Sequence, residues 1–78
     1  MKTIEVFGTG CAKCKQLADN ATEAAKAANV EFELKKVTDV SEMAGRGVML
    51  TPALAIDGQI RAVGKVPSAA DIQNMLAD

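Results

Sequence analysis

Three observations predict an α/β fold: a four-stranded mixed sheet in the order 2-1-3-4, with helices on both faces. First, β-like and helix-like runs follow one another as β-α-β-α-β-β-α. Second, the run Ala53-Leu54-Ala55-Ile56 is continuously apolar, as a strand buried on both faces must be. The runs carrying Glu33 and Arg61 have one wet side and suit the edges. Third, Asp57-Gly58 is a two-residue hairpin signal, which makes the last two strands antiparallel. The first strand–helix–strand crossover is by default right-handed and parallel.

Residues 2–7 (KTIEVF) are β-branched and aromatic in character and predict the first strand, which Gly8-Thr9-Gly10 ends in a turn. From Cys11 to about Ala28 the chain predicts one helix. Leu17, Ala21, Ala24 and Ala28 recur at helical spacing, and a face of small residues lets a helix lie close to a sheet. Asn29 is the expected stop. Val30, Phe32 and Leu34 alternate with Glu31, Glu33 and Lys35, which predicts an edge strand. A short helix begins at Thr38 or Asp39, where Asp39 and Glu42 have capping-box spacing, and Gly45 and Gly47 end it. After the hairpin, Gln59 to Val63 form the return strand. Ser68 with Asp71 caps a last helix that carries Ile72, Met75 and Leu76 on one face. Met43, Met49 and Met75 read as core filler.

The whole chain, residues 1–78, is expected to be one domain, because 78 residues leave no room for a second core. With 49% hydrophobic and 24% charged residues, the composition is that of a globular chain. There is no His, Trp or Tyr, which excludes His-based acid–base chemistry, His metal ligation and aromatic platforms for single-stranded nucleic acid. A formal net charge of −1 offers no footprint for DNA or RNA. No apolar run is long enough to span a bilayer, and Met1 leads straight into a strand pattern without a signal-peptide h-region. The expected location is therefore the cytoplasm, where two cysteines in CxxC spacing favour redox or metal chemistry over a structural staple.

That pair lies in Gly8-Thr9-Gly10-Cys11-Ala12-Lys13-Cys14-Lys15, where a strand gives way to a helix. Free backbone N–H groups and the positive end of the helix dipole would stabilise a Cys11 thiolate. Cys14, one turn on, is expected to be more buried and to serve as the resolving thiol. Thr9 and Gly10 shape the turn and keep Cys11 uncovered. Lys13 reads equally as a support for the thiolate or as solvated surface, and Lys15 as surface. No bound organic cofactor is needed, since the dithiol is the whole catalytic apparatus.

GTGCAKCKQL after the first strand, TPALAIDG before the hairpin and the VGKVPS connection resemble the small thioredoxin-like, redox-active disulfide proteins of bacteria and archaea, over essentially the whole chain. The resemblance implies a minimal thioredoxin fold and reversible thiol–disulfide exchange with protein disulfides. It also implies re-reduction by a thioredoxin-reductase-like flavoprotein. It makes Pro52 a cis proline opposite the dithiol, exposing the Thr51 backbone to pair with an extended substrate segment. Thr51, Pro52, Thr9 and Gly10 thus become the expected substrate-binding residues. Thioredoxins also place a buried acid six residues before the first cysteine, and Glu5 has that offset. A desolvated carboxyl with a raised pKa would take the proton of Cys14; the competing reading is a glutamate that reaches water.

Two departures from the related families stand out. The cysteines enclose Ala12-Lys13 rather than Gly-Pro, and Gly64-Lys65-Val66-Pro67 does not match the glutathione-holding glycine pair of glutaredoxins. The rival reading is a soft-metal module in which the dithiol holds Cu(I) or arsenite. Copper chaperones, however, use a β-α-β-β-α-β order and a methionine where Thr9 stands, and a zinc site would need two further ligands. The expectation is therefore a cytoplasmic, monomeric thiol–disulfide oxidoreductase that transfers electrons through Cys11 and Cys14, with no resident metal and no nucleic-acid or membrane partner.

Overall fold

The structure, a computed structural model, describes residues 1–10 and 12–77. Its elements are β1 (Lys2–Phe7), α1 (Ala12–Ala27), β2 (Phe32–Val37), α2 (Val40–Gly45), β3 (Ala53–Ile56), β4 (Gln59–Val63) and α3 (Ala69–Leu76). The strands pair in the order β2-β1-β3-β4. β1 is parallel to β2 and antiparallel to β3, and β3 is antiparallel to β4. This is the predicted mixed sheet.

Strand alternation divides the sheet between two cores. Ile4 and Val6 of β1 and Leu54 and Ile56 of β3 pack with Leu17, Ala18 and Ala21 of α1 and with Ile72 and Leu76 of α3. Phe7, Ala53 and Ala55 point the other way, toward Val37, Val48 and Met43 of α2. All of β3 is buried because it feeds both cores, which is why its sequence is continuously apolar. Each fully buried Ile or Leu contributes about 1.5–3 kcal/mol relative to exposure.

Both crossovers end in the same kind of helix stop. At the end of α1, Asn29 adopts a left-handed φ of 55°. The Val30 N–H donates to the Ala25 carbonyl and the Asn29 N–H to that of Lys26. That pattern is a Schellman motif, with Val30 folded onto the α1-side core. β2 therefore starts at Phe32 rather than at Val30, where the alternation placed it, and it runs on to Val37. Val30 serves the helix stop instead of the sheet, while the Glu31 carbonyl accepts from the Lys2 N–H of β1 at 2.9 Å. α2 repeats the device. Asp39 caps its start by accepting from the Ser41 and Glu42 N–H groups. At its end, the Val48 N–H donates to the Met43 carbonyl and the Gly47 N–H to that of Ala44. Val48 then packs against Met43, and Arg46 is fixed as the C-cap residue.

The β3–β4 turn has positive φ at both Asp57 (52°) and Gly58 (83°), the twist a tight hairpin requires. Asp57 also ties the hairpin to β1. Its carboxylate accepts from the Thr3 N–H at 2.9 Å and lies 3.4 Å from Lys2 Nζ. α3 starts as expected, with Ser68 Oγ accepting from the Asp71 N–H. Among the described residues, no helix is long and apolar enough to cross a membrane.

Candidate redox site at the start of helix α1

Cys11 lies outside the described residues; its neighbours define the site. Cys14 stands in the first turn of α1, 5% exposed. It is buried because the end of β1 comes up against it. A Cβ added at Gly8 would land on Cys14 Sγ and 2.9 Å from Cys14 Cβ, so only glycine leaves room for that thiol. Gly10 turns the chain toward the helix with a φ of 89°. Gly8, Gly10, Val6 and Ala18 line, with Cys14, a cavity of about 200 Å³. The first helical turn carries no acidic residue to oppose a thiolate there.

The second strand end closes on the same tip. The Thr51–Pro52 peptide bond is cis. Pro52 is buried and Thr51 exposed, and the Pro52 carbonyl accepts from the Gly64 N–H at 2.8 Å. Thr9 and Thr51 meet across an apolar groove of about 300 Å³ floored by Met43 and Val48. Met49 is 82% exposed on its rim, not in the core where the sequence reading put it. Lys13 is exposed and borders a separate cleft with Gly64 and Ser68. Thr9, Gly10, Cys14, Thr51 and Lys13 thus gather around one end of the sheet.

Glu5 is not among them. It alternates with Ile4 and Val6, so it shares the α2-side face of Phe7, across the sheet from the α1-side core. Arg46 donates to both of its carboxylate oxygens, at 2.8 and 2.9 Å. The same guanidinium sits 5.3 Å from the Phe7 ring centroid. The Glu5 carboxyl, 12% exposed, is held below its ordinary value of 4.5: the Arg46 hydrogen bonds outweigh the opposing effect of burial, and the Arg46 and Lys35 charges add to them. Of the two readings of Glu5, this rules against the raised pKa, and with it the idea of a proton acceptor for Cys14. The acid is half-buried, bidentate-paired and ionised.

The model of the thioredoxin domain family matches residues 2–77. The chain belongs to the thioredoxin family. It is 35% identical to the thioredoxin of Methanothermobacter thermautotrophicus, over 99% of this chain and 100% of that protein. It is 42% identical to the thioredoxin of Methanocaldococcus jannaschii, over 97% of this chain and 87% of that one. In fold it is similar to the oxidised crystal structure of mitochondrial thioredoxin 3 from Saccharomyces cerevisiae, with a TM-score of 0.65 at 20% identity over 99% of this chain and 77% of that chain. As a thioredoxin-like protein it is a disulfide oxidoreductase.

Sequence reasoning missed one residue of this thioredoxin-like site, Gly8, and, outside it, the Glu5 partner Arg46. Gly8 read only as part of a flexible turn; its signal was a glycine immediately after the strand, where a close approach is usual. Arg46 was passed over between the two glycines taken as the end of α2. A cation at a helix C-terminus is favoured there in any case, so nothing local pointed to a partner 41 residues away.

Proposed function

We propose that this chain exchanges its Cys11–Cys14 dithiol with protein disulfides through a mixed disulfide. The Cys11 thiolate attacks a substrate disulfide, and one substrate sulfur leaves as a thiolate and takes a proton from solvent. The Cys14 thiolate then attacks the Cys11 sulfur. The Cys11–Cys14 bond forms, the bond to the substrate breaks, and the second substrate thiol departs. The substrate is reduced by two electrons and the dithiol is oxidised by two. The observation that carries the reading is the placement of Cys14: buried against Gly8 in the first turn of α1, as a thiol that acts second should be. Thr51, Pro52, Thr9 and Gly10 are the residues against which an extended substrate segment would lie, with its apolar side chains in the groove shared by Thr9 and Thr51. Lys13, on the outer side of the first turn, favours the Cys11 thiolate. A thioredoxin-reductase-like flavoprotein restores the dithiol, and the protein works as a cytoplasmic monomer without a resident cofactor.

The test is alkylation rate against pH on reduced protein, resolved by peptide mass. The expected outcome is fast reaction at Cys11 alone, with a pKa well below about 8.5, and accumulation of a Cys11-linked mixed disulfide in C14S. Two thiols titrating together near the reference value would overturn the mechanism.

A further inference from the structure

Arg46 joins the two walls of the groove shared by Thr9 and Thr51. One wall is the turn after β1, which contributes Thr9. The other is α2 and the segment after it, which contribute Met43, Ala44, Val48 and Thr51. Arg46 belongs to the second wall. It is the C-cap residue of α2, and its N–H donates to the Glu42 and Met43 carbonyls at 3.0 and 3.1 Å. Its side chain reaches back to the strand behind the first wall. The guanidinium donates to both Glu5 carboxylate oxygens at 2.8 and 2.9 Å and lies 5.3 Å from the ring centroid of Phe7, the last residue of β1. Met43 and Val48 also pack with Phe7, but apolar burial is non-directional. A forked, charge-assisted pair fixes direction as well as distance.

The segment that leaves Arg46 depends on where it is launched. Gly47 turns it with a φ of 79°, and Val48 enters the α2-side core. Met49 and Leu50 are then 82% and 63% exposed, so they hold the chain by little packing of their own. The segment is caught again at Pro52, whose carbonyl accepts from the Gly64 N–H. We infer that Arg46 is a positioning residue for substrate. Through Glu5 and Phe7 it sets where residues 47–51 stand against Thr9. It thereby sets the affinity of the groove for an extended, disulfide-bearing segment with an apolar side chain in it. The inference rests on the substrate placement proposed above, and it gives Glu5 an anchoring role in place of a proton-transfer one.

The test follows single-turnover oxidation of the reduced protein by two substrates at rising concentration. One is a disulfide peptide with apolar residues beside its cysteine; the other is hydroxyethyl disulfide, which has no side chain to place in the groove. R46M and E5Q are expected to raise the half-saturating peptide concentration about five- to ten-fold, as loss of a charge-assisted hydrogen bond would. The plateau rate and the rate on hydroxyethyl disulfide are expected to stay unchanged. R46K keeps the cation without the fork and is expected to recover part of the loss. D57A releases β1 from the hairpin at the other end of the strand, and is expected to lower stability while leaving both substrates unaffected. E5Q decides the matter if R46M does not fold. Equal losses on the two substrates, a D57A protein as impaired on the peptide as R46M, or R46K no better than R46M would overturn the inference. Amide hydrogen exchange at Gly47 and Val48, whose N–H groups close the end of α2, gives a readout that needs no turnover, and it is expected to be faster in R46M than in D57A. Faster exchange in a protein that reduces neither substrate counts against the proposed function alone. Unchanged exchange and half-saturation in a protein that reduces both count against Arg46 alone.

Discussion

Gly8 shows how one missing side chain sets the chemistry of its neighbour. The strand end passes so close to α1 that the Cys14 thiol fills the space a Cβ would need. Gly8→Ala must therefore move either the helix start or the strand end, and overpacking of this kind costs about 1–3 kcal/mol. Chemical denaturation should report that loss. Because the clash is with the thiol itself, Cys14 should also become more accessible to alkylation. Unchanged Cys14 reactivity in a destabilised G8A protein would mean that the glycine serves packing only. Both cysteines were legible in the sequence because their spacing is local. Glu5 was legible as a position but not as a chemical state. Its ionisation depends on Arg46, and that pairing exists only once β1 and α2 have come together.

At the scale of elements, what was legible was whatever depends on short-range pattern: the order of strands and helices, the caps at Asp39 and Ser68, and the Asp57-Gly58 turn. The start of β2 was not, because Val30 satisfies the alternation of a strand and the apolar requirement of a Schellman stop equally well. The hydrogen bonds from Asn29 and Val30 back into α1 decide it, and the stop depends on the left-handed conformation of Asn29. Asn29→Gly, which adopts that conformation freely, should leave stability unchanged or slightly raised. Asn29→Val should cost about 1–2 kcal/mol, as a side chain forced left-handed does. The comparison is best read from urea midpoints followed by circular dichroism. Equal stability of the two variants would show that the α1 stop is held by Val30 packing rather than by the turn.

For the whole molecule, two carboxylates tie distant parts of the chain to β1. Glu5 joins it to the end of α2 through Arg46, and Asp57 joins it to the β3–β4 hairpin through the Thr3 N–H and Lys2. Both are held below their ordinary values of 4.5 and 3.8, Glu5 chiefly by hydrogen bonds from Arg46 and Asp57 chiefly by the Thr3 backbone. A carboxyl whose folded value is depressed adds stability above its unfolded value and loses it as pH falls through the folded one. Stability should therefore be level from neutral pH down to about 5 and decline below it as these two groups take up protons. In E5Q/D57N the neutral-pH stability should be lower and the acid decline shallower, because the amides have no proton to gain. Urea midpoints across the acid range check this. Two curves falling in parallel would place the acid-labile interactions elsewhere in the chain. A shallower curve for the variant would mean that the contacts of β1 with the end of α2 and with the β3–β4 hairpin carry the acid-labile part of the stability.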